Sequence, residues 1–158
     1  MEERIMSAVK LVAPLSGSVV AITDVPDPVF SGLMMGDGIG INPTSNTLIA
    51  PCDGVISQVA RTGHALTLTA DNGAEVLMHI GIDTVSLNGQ GFTTHVSKGQ
   101  RVSQGDALID VDFAAIQGKV PSLISVVVVA NSDDFSLADK AAGNLTVGDS
   151  PLFSVAAN

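Results

Sequence analysis

Leu66-Thr67-Leu68-Thr69-Ala70-Asp71-Asn72-Gly73-Ala74-Glu75-Val76-Leu77-Met78-His79-Ile80-Gly81-Ile82 reads as two short, apolar, β-rich runs joined by a turn. Asn-Gly between such runs is a strong hairpin signal, because both residues tolerate the positive φ that a tight two-residue turn demands. With Asn72-Gly73 as the loop, Leu66 faces His79 and His64 faces Gly81. With Asp71-Asn72 as the loop the two histidines oppose each other directly, and only a three-residue loop sends them to opposite faces. Side chains alternate along a strand. His64, Leu66 and Leu68 then share one face, and Glu75, Leu77 and His79 share the paired one. Such diagonal neighbours lie roughly 7–8 Å apart at the backbone, within reach through two rings.

The same grammar runs through the chain. Residues 19–23, 47–50, 55–59, 107–111 and 126–130 also read as strands, set apart by Gly- and Pro-containing turns. No window shows a clean helical stripe. Residues 113–118 and 133–142 each have room for a turn or two of helix. The expected fold is all-β, an antiparallel sandwich or barrel forming one domain over residues 1–158, with its core over about 12–155. Two motifs recur in the same order. Ala13-Pro14-Leu15-Ser16-Gly17-Ser18-Val19 matches Ala50-Pro51-Cys52-Asp53-Gly54-Val55-Ile56, and Val102-Ser103-Gln104-Gly105-Asp106 matches Leu145-Thr146-Val147-Gly148-Asp149. Turn chemistry recurring by chance accounts for either pair alone; the shared order favours a duplicated half-motif.

Composition removes several function classes. The 158 residues are 46% hydrophobic and 15% charged, with the single cysteine Cys52. That excludes a disordered chain, a disulfide scaffold and a four-cysteine zinc module. Seven basic residues stand against 16 acidic ones, a net charge of -9, and there is no Trp or Tyr. Nucleic acid is therefore not an expected partner, and the acidity suits either a basic protein partner or solubility. The Met1-Glu2-Glu3-Arg4-Ile5-Met6 start lacks the basic region and long apolar run of a signal peptide. The most apolar stretch, 123–130, is eight residues long and includes Ser125, where a membrane-spanning helix needs about 20. A cytoplasmic protein without membrane insertion is expected.

Chemistry concentrates on the histidines. In the plainer reading of His64 and His79, one is a partly buried, hydrogen-bonded ring and the other a surface residue. In the sharper one they form a reactive pair: one ring nitrogen attacks, and the second ring stabilises what it acquires. Metal binding is a third reading, but two histidines are too few for a closed zinc site, and no tight motif supplies a further ligand. His95 reads as a surface residue. Gly36-Asp37-Gly38-Ile39-Gly40 lacks the lysine of a phosphate-binding loop and reads as turn and strand entry. Cys52 has no basic neighbour to activate it, and Asp27, Asp83 and Asp133, each taken alone, read as solvated charges.

Four segments carry a resemblance. Val29-Phe30-x4-Met35-Gly36-Asp37-Gly38, Ala50-Pro51-Cys52-Asp53-Gly54, Thr62-Gly63-His64-Ala65 and above all Val76-Leu77-Met78-His79-Ile80-Gly81-Ile82-Asp83-Thr84-Val85 resemble the enzyme IIA domain of the glucose family. This domain is a phosphohistidine carrier of the bacterial phosphoenolpyruvate:sugar phosphotransferase system. The resemblance implies a β-sandwich with an exposed active site. It matches His79 to the phosphorylated histidine, His64 to the histidine that contacts the phosphoryl group, Thr62 to the threonine that orients it, and Gly81 to the carbonyl that holds the first ring. Asp27, Asp83 and Asp133 match acidic positions around the site, and Phe30, Met34, Met35 and Leu77 match an apolar patch. The implied partners are the histidine-containing phosphocarrier protein as donor and the IIB domain of a sugar permease as acceptor, with further regulatory protein targets open. No cofactor is required, though the His64 and His79 pair leaves room for a zinc ion shared with a partner.

Ala60, Leu77 and Ile80 stand where some members carry phenylalanine, so the patch is less aromatic here. A segment before Val12 that is short and not convincingly amphipathic gives no expected membrane anchor. A biotinyl or lipoyl carrier shares the turn motifs but needs a lysine at a hairpin tip, and only Lys98 lies near a turn, with unsuitable flanks. A lysostaphin-type zinc peptidase needs a His-x-His pair, which is missing. The sugar is not legible, because a IIA domain does not touch it. Glucose and N-acetylglucosamine types both fit.

Overall fold

The two recurring motifs occupy equivalent places in the computed structural model, which describes residues 8–158. Its strands are β1 Val9–Val12, β2 Gly17–Ala21, β3 Asp37–Pro43, β4 Thr47–Ile49, β5 Gly54–Val59, β6 Ala65–Ala70 and β7 Glu75–His79. They continue with β8 Phe92–Thr94, β9 Arg101–Val102, β10 Ala107–Val111, β11 Ser125–Val129, β12 Phe135–Ala138, β13 Asn144–Leu145 and β14 Pro151–Ala157. Gly17 opens β2 and pairs with Pro43 of β3 and Leu145 of β13. Gly54 opens β5 and pairs with Ala70 of β6 and Val102 of β9 in the same manner. The N–H of Gly148 donates to Ala13 O and that of Gly105 to Ala50 O, both at 2.9 Å. The copies also bond each other reciprocally, Val12 N–H to Pro51 O and Ile49 N–H to Pro14 O, each at 3.0 Å. The repeat is therefore structural. Its glycines are required by close approach: a Cβ on Gly17 would lie 2.0 Å from Asn42 O, and one on Gly54 2.3 Å from Thr69 O.

An eight-stranded sheet in the order β13-β2-β3-β11-β7-β6-β5-β9 packs against two three-stranded sheets, β1-β14-β12 and β4-β10-β8. Every pairing within them is antiparallel, as expected for this all-β fold. One apolar core joins the sheets through residues such as Leu11, Ile41, Leu48, Ile56, Leu68, Met78, Leu108 and Phe153. Burial of this kind is the main stabilising term, roughly 25 cal/mol per Å² of apolar surface.

The large sheet is also covered on part of its other face. There Ile22, Val25 and Phe30 pack onto Val126, Val128 and Ile82, flanked by Val20 and Leu77. The covering segment joins β2 to β3 and contains one short helix, α1 Pro28–Ser31. Pro28 at its first turn presets the backbone, and the Asp27 carboxylate accepts from Val29 N–H at 3.0 Å. Gly40 lets the segment sit down, since a Cβ there would be 2.9 Å from Val25 Cγ2.

Residues 36–40 are strand entry after a turn, as expected, with Asp37 opening the seven-residue β3. Other local expectations change. The helical reading of 133–142 is corrected: a 3-10 turn at Ser132–Asp134 is followed by β12, in which half-buried Phe135 and Leu137 alternate with exposed neighbours. That period of two lets β12 pair with β14, an outcome local propensity does not reveal. The strand expected over 76–82 ends at His79, leaving Ile82 a single bridge to Ser122. Residues 113–118 do contain a helical turn, α2 Phe113–Ile116, capped by Asp112 accepting from Ala115 N–H. Among the described residues no helix is long and apolar enough to cross a membrane. The readings made on residues 1–7 lie outside the described residues.

Candidate functional site

The hairpin that carries the histidines takes neither two-residue loop. Thr69 pairs with Glu75, Leu66 with Met78 and Ala65 with His79, and Ala70 N–H donates to Ala74 O at 2.9 Å, so Asp71-Asn72-Gly73 forms a three-residue loop. Tertiary contact favours it: Asn72 Nδ2 donates to Val155 O of β14 at 3.0 Å, while Asn72 Oδ1 accepts from Ala74 N–H at 3.1 Å. The face assignment changes with the register. Leu66, Leu68, Val76 and Met78 point into the core, while His79 shares the other face with half-buried Thr67 and Leu77.

This register should part the histidines, yet their rings stand 5.0 Å apart between centroids and edge-on at 80°. His64 escapes the alternation because β6 begins only at Ala65. Gly63, with φ +75°, turns the chain just before it. The His64 carbonyl still accepts from Ile80 N–H at 2.8 Å, so the backbone stays attached to β7 while the ring turns to His79. Thr62 Oγ1 lies 2.5 Å from His64 Nδ1 and fixes that ring.

His79 is held by its own turn. Its Nδ1 lies 2.9 Å from Gly81 O. A carbonyl can only accept, so Nδ1 carries the proton and Nε2 presents a lone pair. Among the described residues nothing hydrogen-bonds to the Nε2 of either histidine. Phe30 stacks against His79 at 5.2 Å with a tilt of 58°, walling one side of the ring. Gly81 adopts φ +68°, and a Cβ there would lie 2.7 Å from the buried Thr84. A side chain at this position would be strained twice.

Burial pushes the His79 pKa down to about 4, with the neighbouring His64 adding to the effect, while the Gly81 carbonyl, Asp27 and Asp83 oppose it. Burial also lowers the pKa of His64. Both rings are therefore neutral near pH 7. At pH 6 a ring with a pKa of about 4 is about 99% neutral, against about a quarter for an unperturbed imidazole. An NMR titration should show His79 flat from pH 8 to about 5; a midpoint near 6.5 would contradict the neutral ring. Linkage carries the same sign. The folded pKa lies below the unfolded one, so this contribution to stability is full above pH 6.5 and is lost as pH falls toward 4.

The other expected residues sort by position. Phe30 is buried as a buttress to His79, and Leu77 is half-buried two residues along the same face. Met34 is 75% exposed and Met35 39%. Met35 and Leu77 border a groove of about 410 Å³ that also includes Thr67, Thr69 and Glu75. Val29, Leu33 and Val85 are further exposed apolar side chains. Asp27 is half-buried and Asp83 exposed, and both are close enough to act on His79. Asp133 is not brought to the pair. The β11 register sets Val126 beside His79 and Val129 beside Val76, so Asp133 lies off the remote end of that strand.

His95 sits apart on the β4-β10-β8 side, exposed and 2.8 Å from Asp110. The Cys52 thiol is buried, and burial together with Asp53 and Asp71 pushes its pKa up to about 12, which keeps it protonated. Among the described residues no group of three or more His, Cys, Asp or Glu is placed to hold a metal ion.

A neutral, tautomer-fixed imidazole beside a second imidazole is what a protein that carries a group on a histidine nitrogen needs. Residues 9–135 match the family described as phosphoenolpyruvate-dependent sugar phosphotransferase system, EIIA 1. The chain is 49% identical over 123 residues to the glucose-specific EIIA component of Bacillus cereus, covering 78% of this chain and 74% of that protein. It is 40% identical over 151 residues to the N-acetylglucosamine-specific EIICBA component of Escherichia coli, covering 95% of this chain and 23% of that protein. The glucose permease IIA of Mycoplasma capricolum superposes with a TM-score of 0.89 at 37% identity, over 93% of this chain and 95% of that one. The chain belongs to the EIIA 1 family, and it is a phosphocarrier component of a sugar phosphotransferase system.

Proposed function

We propose that His79 takes the phosphoryl group on Nε2 and that His64 stabilises it in transit. The observation that carries this reading is the pair of separate Nδ1 anchors, Gly81 O for His79 and Thr62 Oγ1 for His64, on rings 5.0 Å apart. A bond forms between His79 Nε2 and phosphorus as the donor's nitrogen–phosphorus bond breaks and its electron pair stays with the donor. No proton leaves His79, because Nδ1–H stays on Gly81 O. With Thr62 donating to His64 Nδ1, the proton of that ring sits on Nε2, where it donates to a phosphoryl oxygen as charge develops. In onward transfer the bond to His79 breaks, its electron pair returns to Nε2, and phosphorus passes to a cysteine thiolate of the acceptor.

The donor in this reading is the histidine-containing phosphocarrier protein, and the acceptor is the IIB domain of a glucose- or N-acetylglucosamine-type permease, in the cytoplasm. The names of the relatives and the net charge of -9 support it. Asp27 and Asp83 form an acidic rim suited to a basic donor, around an apolar surface that includes the adaptable Met34 and Met35. The test is intact mass after incubation with phosphoenolpyruvate, enzyme I and the phosphocarrier protein. One acid-labile phosphoryl group is expected, and no addition with active partners would overturn the reading. Asp83→Lys should weaken donor binding about tenfold at low salt and much less at high salt; an unchanged affinity in titration calorimetry would remove Asp83 from the docking rim.

A further inference from the structure

The backbone that holds His79 is itself held by a buried hydroxyl in the neighbouring strand. Glycine leaves both of its torsions free, so the direction of the Gly81 carbonyl depends on what clamps the two peptide planes beside it. In the first plane Thr84 Oγ1 donates to Ile80 O at 2.5 Å, and Gly81 N–H donates to Ser125 Oγ at 3.2 Å. In the second plane Ile82 N–H donates to Ser122 O at 2.9 Å, while Gly81 O accepts from His79 Nδ1.

Ser125 is 2% exposed. It opens β11, whose other residues, Val126–Val129, are all valine, so no polar side chain is needed there for packing. Its own proton goes to Leu123 O at 3.1 Å, which leaves its lone pairs for Gly81 N–H. Thr84 and Ser125 thus clamp one plane from opposite ends, one as donor and the other as acceptor.

We infer that Ser125 is a positioning residue for phosphoryl transfer: by accepting from Gly81 N–H it aims the Gly81 carbonyl at His79 Nδ1 and keeps Nε2 as the nucleophile. The role rests on the reading of His79 as the acceptor. Without the hydroxyl, Gly81 N–H is buried with no partner. The Ile80–Gly81 plane turns to relieve this, and glycine passes the rotation on to the carbonyl. His79 then loses its fixed tautomer, and the form protonated on Nε2 cannot attack.

The test is nitrogen-15 NMR of the His79 ring in wild type, Ser125→Ala and Ser125→Thr, beside uptake rates from the phosphorylated donor. Wild type should show one tautomer, protonated on Nδ1. Ser125→Ala should show a mixture and take up phosphate about tenfold more slowly, while Ser125→Thr, which keeps the hydroxyl, should restore both. A Ser125→Ala protein that keeps the single tautomer and the wild-type rate overturns the inference, even if it melts earlier. Should Ser125→Ala not fold, Ser125→Cys replaces it, with its weaker acceptor giving the same mixture or overturning the role. The tautomer is read without any transfer, so absence of uptake in wild type would fail the reading of His79 and leave the positioning of its ring separately decided.

Discussion

His79→Ala takes up no detectable phosphoryl group in the expected result, a loss of about 10⁵-fold or more, the scale at which removal of a covalent nucleophile is felt. The size follows from the geometry. His64 is the other ring at the site, with its Nδ1 occupied by Thr62. Its Nε2 carries the proton when Thr62 donates, so it cannot substitute as nucleophile. His95 is remote on the other sheet system and tied to Asp110, and Cys52 is buried with its pKa pushed up to about 12. No second acceptor stands in reserve among the described residues. The fold should survive the change, because His79 is half-buried at the end of β7 and not part of the main core. The check is acid-labile phosphate by intact mass, with circular dichroism confirming the sheet. Full labelling of a folded His79→Ala protein would sink the assignment.

His64→Gln separates the two halves of the relay. His79 keeps its carbonyl anchor and its Phe30 wall, so uptake from the phosphorylated donor should stay within about tenfold of wild type. Onward transfer should fall by about 10²–10³-fold, the usual cost of losing one preorganised donor to developing charge. Glutamine can bring its amide nitrogen near the place of the lost ring Nε2, but it has no atom at Nδ1 for Thr62 to hold, so the donor is no longer fixed in direction. Chase experiments with unlabelled acceptor domain would show phosphate accumulating on His79. An unchanged chase rate would leave His64 without the role given to it.

The histidine pair illustrates what can be read ahead of a structure. Alternation and the Asn-Gly signal bring the rings together in either two-residue register, and the rings do meet. They meet by another route. The loop is three residues long because Asn72 bonds across to β14, a contact between residues 83 apart that no local pattern announces. His64 then reaches His79 because Gly63 turns the chain before the strand starts, which breaks the rule on which the spacing argument relied. Similarly, β12 is invisible to propensity because its reason for being a strand is β14. The acidic positions divide the same way: Asp27 and Asp83 stand near His79, while Asp133 is carried off by the direction of β11.

By itself the sequence determined what local chemistry can encode. Its alternating apolar runs and recurring glycines specify an antiparallel sandwich built from a duplicated motif, and the four segments that resemble the enzyme IIA family single out His64 and His79 as the candidates for group transfer. The tertiary structure alone decided register, depth and direction. Those depend on hydrogen bonds and close approaches between segments far apart in the chain: Asn72 to Val155, Gly81 to Ser125, Gly40 beneath Val25. Burial depth in turn sets the protonation of His79, because the cost of charging a ring is governed by the water excluded around it, a property of the folded assembly of segments and not of any one of them.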